Sequence, residues 1–396
     1  MESFESVGDY LKVTQPSDPV ICERPHAATR AAAWFLENFP GIVLYAVKAN
    51  PSPVILDALH AAGVRDFDVS SPAELELLAR YPDARVYCMN PVKHPDHIRQ
   101  AYFEHGVRDF ALDCADELDK ILACTDGADD LALHVRIAVS NDTARVPLTG
   151  KYGVTGAEAA ALLVAARLHA ERLGVCFHVG SQAMNPASYA RAISHANHLI
   201  SQAGVILDSL DVGGGFPAAY PGIEPPALSA YMRTIEAAFD DSLTSWTCEL
   251  LCEPGRALVA ESASVLANVT LRKHDALYLN DGAYGALFDA AHLNFPYPVR
   301  AWRDGRRLTG PLVPFRFYGP TCDSIDAMAG PFMLPADIAA GDYIEIGQLG
   351  AYGDTMRTDF NGFGKRRQVT LTDEPMLSLF SAAAGSRAPI EIEIEI

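Results

Sequence analysis

The sequence predicts an α/β protein: a closed (β/α)8 barrel followed by a mostly antiparallel β domain. Three observations carry this expectation. From about residue 40 to 255, short apolar runs alternate with alanine- and leucine-rich amphipathic segments, the signature of a parallel sheet with crossover helices. The runs number roughly eight over about 215 residues, which suits a closed barrel better than an open sheet. After residue 256 valine, tyrosine, glycine and proline rise, and Asn280-Asp-Gly282 and Asp304-Gly305 break short runs as turns between strands do.

Taken in order, strands are expected at Ile42–Val47, Asp66–Val69, Val86–Met89, Asp109–Leu112, Leu131–Ile137, Gly174–Val179, Ile206–Val212 and Glu249–Cys252. Helices are expected between them at Pro53–Ala62, Pro72–Arg80, Pro95–His105, Ala115–Cys124, Gly156–Leu173, Pro186–Ala203 and Pro226–Phe239. Several begin beside proline or a polar cap, as helix starts require. The tail Ile390-Glu-Ile-Glu-Ile-Glu-Ile396 alternates strictly. It reads equally as a half-buried strand or a frayed terminus.

With 396 residues, two domains are the default expectation. Apolar content of 49% and charged content of 20% describe an ordinary globular protein. No apolar run is long enough to span a membrane. The start, Met1-Glu-Ser-Phe-Glu-Ser6, is acidic and unlike a signal peptide, so a cytoplasmic location is expected. The 8 cysteines lack CxxC spacing and read as reduced thiols. His94 and His97 have no further ligands near them in sequence, and no metal is expected. The net charge of −19 argues against nucleic acid, whose phosphates need a basic face. It is compatible with a small cationic ligand, although most acidic surfaces simply keep proteins soluble.

The segment Tyr45-Ala-Val-Lys48-Ala-Asn50 places a lysine just past an apolar strand. Beside apolar walls a lysine pKa can fall, giving a free amine able to form a Schiff base with an aldehyde. A strand-end lysine that snorkels to solvent has the same appearance. Further suggestive segments fall where other strands end, which is where barrel enzymes keep their active sites. They are Asp68 in Phe67-Asp-Val-Ser70, Arg136 in Val135-Arg-Ile137, His178-Val-Gly-Ser-Gln182, Asp211-Val-Gly-Gly-Gly-Phe-Pro217 and Cys252-Glu-Pro-Gly-Arg256. Gly213–Gly215 would let backbone N–H groups approach an anion, and would serve equally as a structural turn.

These motifs resemble the fold type III pyridoxal-phosphate decarboxylases, the ornithine, lysine and diaminopimelate decarboxylase family. YAVKAN, HVGSQ, GGGFP, CEPGR, GPTCDSID and GAYGDTMRTDFNGF follow one another from residue 45 to 363. The resemblance implies a barrel over residues 26–255 and a β domain built from 1–25 and 256–396. It also implies a homodimer with two sites at the interface and pyridoxal 5'-phosphate as cofactor. It makes Lys48 the Schiff-base lysine, Glu253 the partner of the pyridine nitrogen and His178 the residue stacked on the ring. Ser181, Gly215, Gly255, Arg256 and Tyr352 would hold the phosphate, and Asp68 and Arg136 would line the pocket near Lys48.

Cys322, in Gly319-Pro-Thr-Cys-Asp-Ser-Ile-Asp326, would enter the partner's site and return a proton to the substrate carbon. The resemblance also bears on substrate. Diaminopimelate decarboxylases typically carry Glu after this Cys, whereas Asp323 matches enzymes that bind a terminal ammonium. Asp289 in Phe288-Asp-Ala-Ala-His292 resembles the Asp-His-Ala-His stretch of ornithine decarboxylases, and Asp289 with Asp323 would bracket the ammonium. The expected reaction is decarboxylation of ornithine, with lysine second. Diaminopimelate decarboxylation is the runner-up, and a non-catalytic decarboxylase-like regulator is the alternative of another class.

Overall fold

The structure, a computed structural model, describes residues 1–380. Eight parallel strands close a barrel: Ile42–Ala46, Asp66–Asp68, Arg85–Cys88, Asp109–Leu112, Ala132–Arg136, Arg172–Cys176, Ser209–Asp211 and Glu249–Cys252. Each pairs with its neighbour in sequence order, for example Tyr45 with Phe67 and Val135 with Val175. Pairing of Leu251 with Ile42 closes the ring. All eight expected strands are present, each within a few residues of its expected bounds.

The helices depart further from expectation. Pro25–Asn38 is a 14-residue helix with proline in its first turn, lying ahead of the stretch in which alternation is legible. The helix expected at Gly156–Leu173 stops at Arg167, because Arg172 and Leu173 already belong to the next barrel strand. Pro95–His105 splits into a short helix, Pro95–Arg99, and a wide turn, Gln100–Glu104. Leu56, Leu59, Ile121, Leu163, Ile193 and Ile235 on the outer helices are fully buried or nearly so. Each such side chain contributes about 1.5–3 kcal/mol relative to exposure.

Beyond the barrel the chain builds a ten-stranded sheet, mostly antiparallel. Its central strand, Ala263–Lys273, pairs antiparallel with Ala276–Leu279, Tyr343–Ile346 and the N-terminal strand Val20–Glu23. Val20–Glu23 also pairs parallel with Arg367–Leu371. At this seam Arg24, 1% exposed, bonds Ser264 at 2.8 Å, Glu345 at 2.9 Å and Asp373 at 2.9 Å. No helix among the described residues is long and apolar enough to cross a membrane. The Ile-Glu repeat at 390–396 lies outside the described residues.

Candidate active site

The barrel strands deliver their chemistry at their C-terminal ends. Ile42–Ala46 runs into a single 3₁₀ turn, Val47–Ala49, which carries Lys48. That turn is stitched in place: the Tyr45 hydroxyl donates to Asn50 O at 2.9 Å, Asn50 Nδ2 donates to Gly350 O at 2.8 Å, and Tyr352 N donates to Ala49 O at 3.0 Å. The segment bearing Tyr352 is thereby fastened to the barrel mouth. Asp68 ends the second strand, Glu253 follows the eighth, and His178 lies two residues past the sixth.

Lys48 Nζ meets Asp68 Oδ2 at 2.9 Å, while Asp68 Oδ1 accepts from Met89 N at 3.2 Å. The lysine side chain is 44% exposed to the cavity and Asp68 only 2%. Burial by the surrounding walls pushes the amine's pKa down, but Asp68, Glu253 and Tyr352 outweigh it and hold the pKa above its ordinary value. This corrects the expectation of a lowered pKa: Asp68, expected only to line the pocket near Lys48, bonds the amine directly. His178 behaves oppositely. Burial, with Arg136 and Lys48 nearby, drives its pKa well below the ordinary value, so the ring is neutral. Its Nδ1 accepts from Gly180 N at 3.0 Å, which places the remaining proton on Nε2.

Glu253 is buried, and its pKa is pushed well above the carboxylate range by burial first, then by Asp211 and Asp68. Asp211, which opens one of the suggestive segments but was given no role there, is also raised by burial. With both carboxyls buried, Asp211 favours the protonated form of Glu253. Glu253 Oε1 and Asp211 Oδ2 are both buried without a donor.

The other end of the cavity is built for an anion. Ala46, Lys48, His178, Ser181, Gly214, Gly215, Phe216, Glu253, Gly255, Arg256 and Tyr352 enclose about 310 Å³, mouth included. Gly215 has φ +105°, and a Cβ there would stand 2.5 Å from Gly180 O. Only glycine fits that conformation and that approach. The Arg256 side chain, 6% exposed, bonds Ser181 Oγ at 3.3 Å, the Tyr220 hydroxyl at 2.9 Å and Asp289 Oδ2 at 3.0 Å. Its guanidinium lies over the Phe295 and Tyr352 rings at 4.7 and 4.9 Å.

Eight of the sequence-predicted residues therefore line one cavity, with Asp68 bonded to Lys48 behind them. Arg136 stands one layer away, beside Cys176 and His178. Asp289, which the resemblance made one of two carboxylates bracketing the substrate ammonium, is 4% exposed and tied to Arg256. Cys322 and Asp323 are not part of this wall. Cys322 is exposed, and its neighbour Asp323 accepts from the Tyr284 hydroxyl at 2.6 Å. Tyr220, Tyr284 and Asn361, which contacts Cys322, were, like Asp211, given no role by sequence reasoning. Their partners are distant in sequence, and none is chemically conspicuous alone.

The residues fit a phosphorylated, aldehyde-bearing pyridine. A lysine amine, a flat neutral imidazole, a buried acid lacking an N–H donor and a glycine-lined, arginine-bearing pocket stand in one cavity. Comparison with known proteins agrees. The family described as "Pyridoxal-dependent decarboxylase, pyridoxal binding domain" matches residues 26–260. A lysine/ornithine decarboxylase of Selenomonas ruminantium is 35% identical over 349 residues, 84% of each chain. Among solved structures, a lysine/ornithine decarboxylase from Vibrio vulnificus complexed with putrescine is similar at TM-score 0.78 and 29% identity, covering 93% of this chain and 99% of that one. The Paramecium bursaria Chlorella virus arginine decarboxylase bound to agmatine is similar at TM-score 0.80 and 27% identity, covering 90% and 98%. The chain belongs to the pyridoxal-phosphate-dependent decarboxylases, carboxy-lyases that act here on a basic amino acid.

Proposed function

We propose that this enzyme converts L-ornithine to putrescine, with L-lysine as a second substrate, and so serves polyamine formation. We further propose that it works as a homodimer in which Cys322 and Asp323 of one subunit complete the Lys48 cavity of the other. The observation that carries the substrate assignment is Asp323. Its carboxyl is held below the usual range first by the Tyr284 hydroxyl and then by backbone N–H groups. Among the described residues it has no cationic partner. An ionised carboxylate next to the proton-donating thiol suits a terminal ammonium and repels a distal carboxylate.

When bound, the cofactor supplies the electron sink that accepts the pair left behind by CO2. Lys48 is the amine that holds it, and Asp68 orients that amine. Glu253 keeps a proton at the ring nitrogen, and His178 offers its neutral face to the ring. Ser181, Gly215, Gly255, Arg256 and Tyr352 hold the phosphate. Asp289 spends Oδ2 on Arg256 and offers Oδ1 to the substrate ammonium. Cys322 delivers its S–H proton to the carbon that has lost CO2, and recovers one from water.

Product analysis with ornithine, lysine, arginine and meso-diaminopimelate at equal concentration tests the reading. Putrescine should dominate, with cadaverine second. Faster turnover of diaminopimelate or arginine would refute the substrate assignment.

A further inference from the structure

We propose that Asn361 is the positioning residue for the Cys322 thiol, fixing its direction. The inference rests on the role given to Cys322 above. Asn361 Oδ1 accepts from Cys322 N at 3.2 Å and from Cys322 Sγ at 3.3 Å. The first contact settles the orientation of the amide. A backbone N–H can only donate, so the atom facing it must be the carbonyl oxygen. The same oxygen faces the sulfur, which therefore sees an acceptor and must bring its own hydrogen.

The backbone is built around this contact. Asn361 adopts φ 53°, ψ 13° inside the 3₁₀ turn Phe360–Gly362, the left-handed region that asparagine tolerates better than most residues. The turn is anchored on both sides. The Phe360 ring packs on Tyr284 with centroids 4.6 Å apart, and Tyr284 grips Asp323. Just upstream, Arg357 bonds both oxygens of Asp281, at 3.0 and 2.9 Å, with both side chains almost fully buried. The dipeptide Cys322-Asp323 is thus held by Asn361 at the thiol and by Tyr284 at the carboxylate. Decarboxylation needs the proton at one carbon and not elsewhere. A thiol free to rotate would misdeliver it; the amino group would then stay with the cofactor, and hydrolysis by water would release the carbon skeleton as an aldehyde instead of an amine.

Asn361→Gly removes the oxygen while tolerating the positive φ, and Asn361→Asp keeps the oxygen and adds charge. In cofactor-free protein, alkylation of Cys322 by iodoacetamide at pH 7.5, followed by peptide mass spectrometry, should be about 2- to 10-fold faster in Asn361→Gly than in wild type, the loss of one hydrogen bond. It should be slower than wild type in Asn361→Asp. In loaded enzyme, the aldehyde fraction of the product should rise in Asn361→Gly toward that of Cys322→Ala, and return toward wild type in Asn361→Asp. Equal alkylation rates in all three proteins, or an unchanged aldehyde fraction in Asn361→Gly while Cys322→Ala misprotonates, would overturn the role of Asn361. A normal amine yield from Cys322→Ala would instead overturn the role of Cys322.

Discussion

At the scale of single residues, burial displaces the pKa values of the cavity's acid and base groups. Glu253 titrates near 4.5 when unfolded and well above that when folded. Between those values the folded state holds the extra proton, so stability falls as pH rises. His178 has the opposite sign: its folded value lies well below 6.5, so its contribution is lost as pH falls below that point. Glu253→Gln should therefore raise the melting temperature of cofactor-free protein at pH 8 by about 2–4 °C, while weakening turnover. Calorimetry across pH checks both signs. Lys48 offers a second test. Asp68 holds the amine protonated, so Asp68→Asn should shift the pH midpoint for cofactor capture downward, followed by absorbance after mixing. An unmoved midpoint would mean that Asp68 does not control the amine. Lys48, Glu253 and His178 were legible as cavity residues because they sit in compact motifs. Asp211, Tyr220 and Asn361 were not, because their roles exist only through partners that folding brings near. The sign of the Lys48 shift escaped because the motifs place Asp68 near Lys48 without fixing the direct contact that folding makes between them.

At the scale of elements, the barrel strands announced themselves through apolar runs, and their register followed from sequential parallel pairing. Helix ends were less legible. The apolar run through Leu162, Leu163 and Leu173 does not by itself separate a helix from the strand that follows. The wide turn at Gln100–Glu104 leaves no trace in a 3.6-residue period; it is visible only as His105 N donating to Gln100 O at 3.3 Å. The glycine loop after the seventh strand lines the cavity through Gly214 and Gly215. A methyl group at Gly215 would meet the Gly180 carbonyl oxygen and Val179, and the backbone there cannot give way cheaply. Gly215→Ala should weaken cofactor retention at least about tenfold, the equivalent of ~1.4 kcal/mol, measured as absorbance remaining after dialysis. Full retention would show that this loop does not shape the phosphate site.

At the scale of the whole molecule, the Lys48 cavity and the Cys322 loop are separate parts of one chain, and the proposed dimer joins them. Mixing Lys48→Ala with Cys322→Ala protomers should restore up to about a quarter of wild-type activity, because random exchange makes half the dimers mixed and each mixed dimer has one intact site. No recovery after verified exchange would sink the composite-site proposal. Within one subunit, the Arg24 seam fastens the N-terminal strand to residues late in the chain. Arg24→Ala would strand Glu345 as an unpaired buried carboxylate, costing about 3–5 kcal/mol, seen in the urea midpoint.

The same seam has a consequence for biosynthesis. Arg24 and Asp373 lie 349 positions apart, and ribosomes add about 5–20 residues per second, so roughly 17–70 s pass between the synthesis of one partner and the other. Through that interval the strand Val20–Glu23 has neither of its neighbours, Ala263–Lys273 being made late and Arg367–Leu371 last. The barrel can close while its own preface waits as an unpaired apolar edge, open to association with other nascent chains. A chain halted before Arg367 should therefore accumulate in the insoluble fraction, and chaperone supply should limit yield more than the intrinsic stability of the finished enzyme.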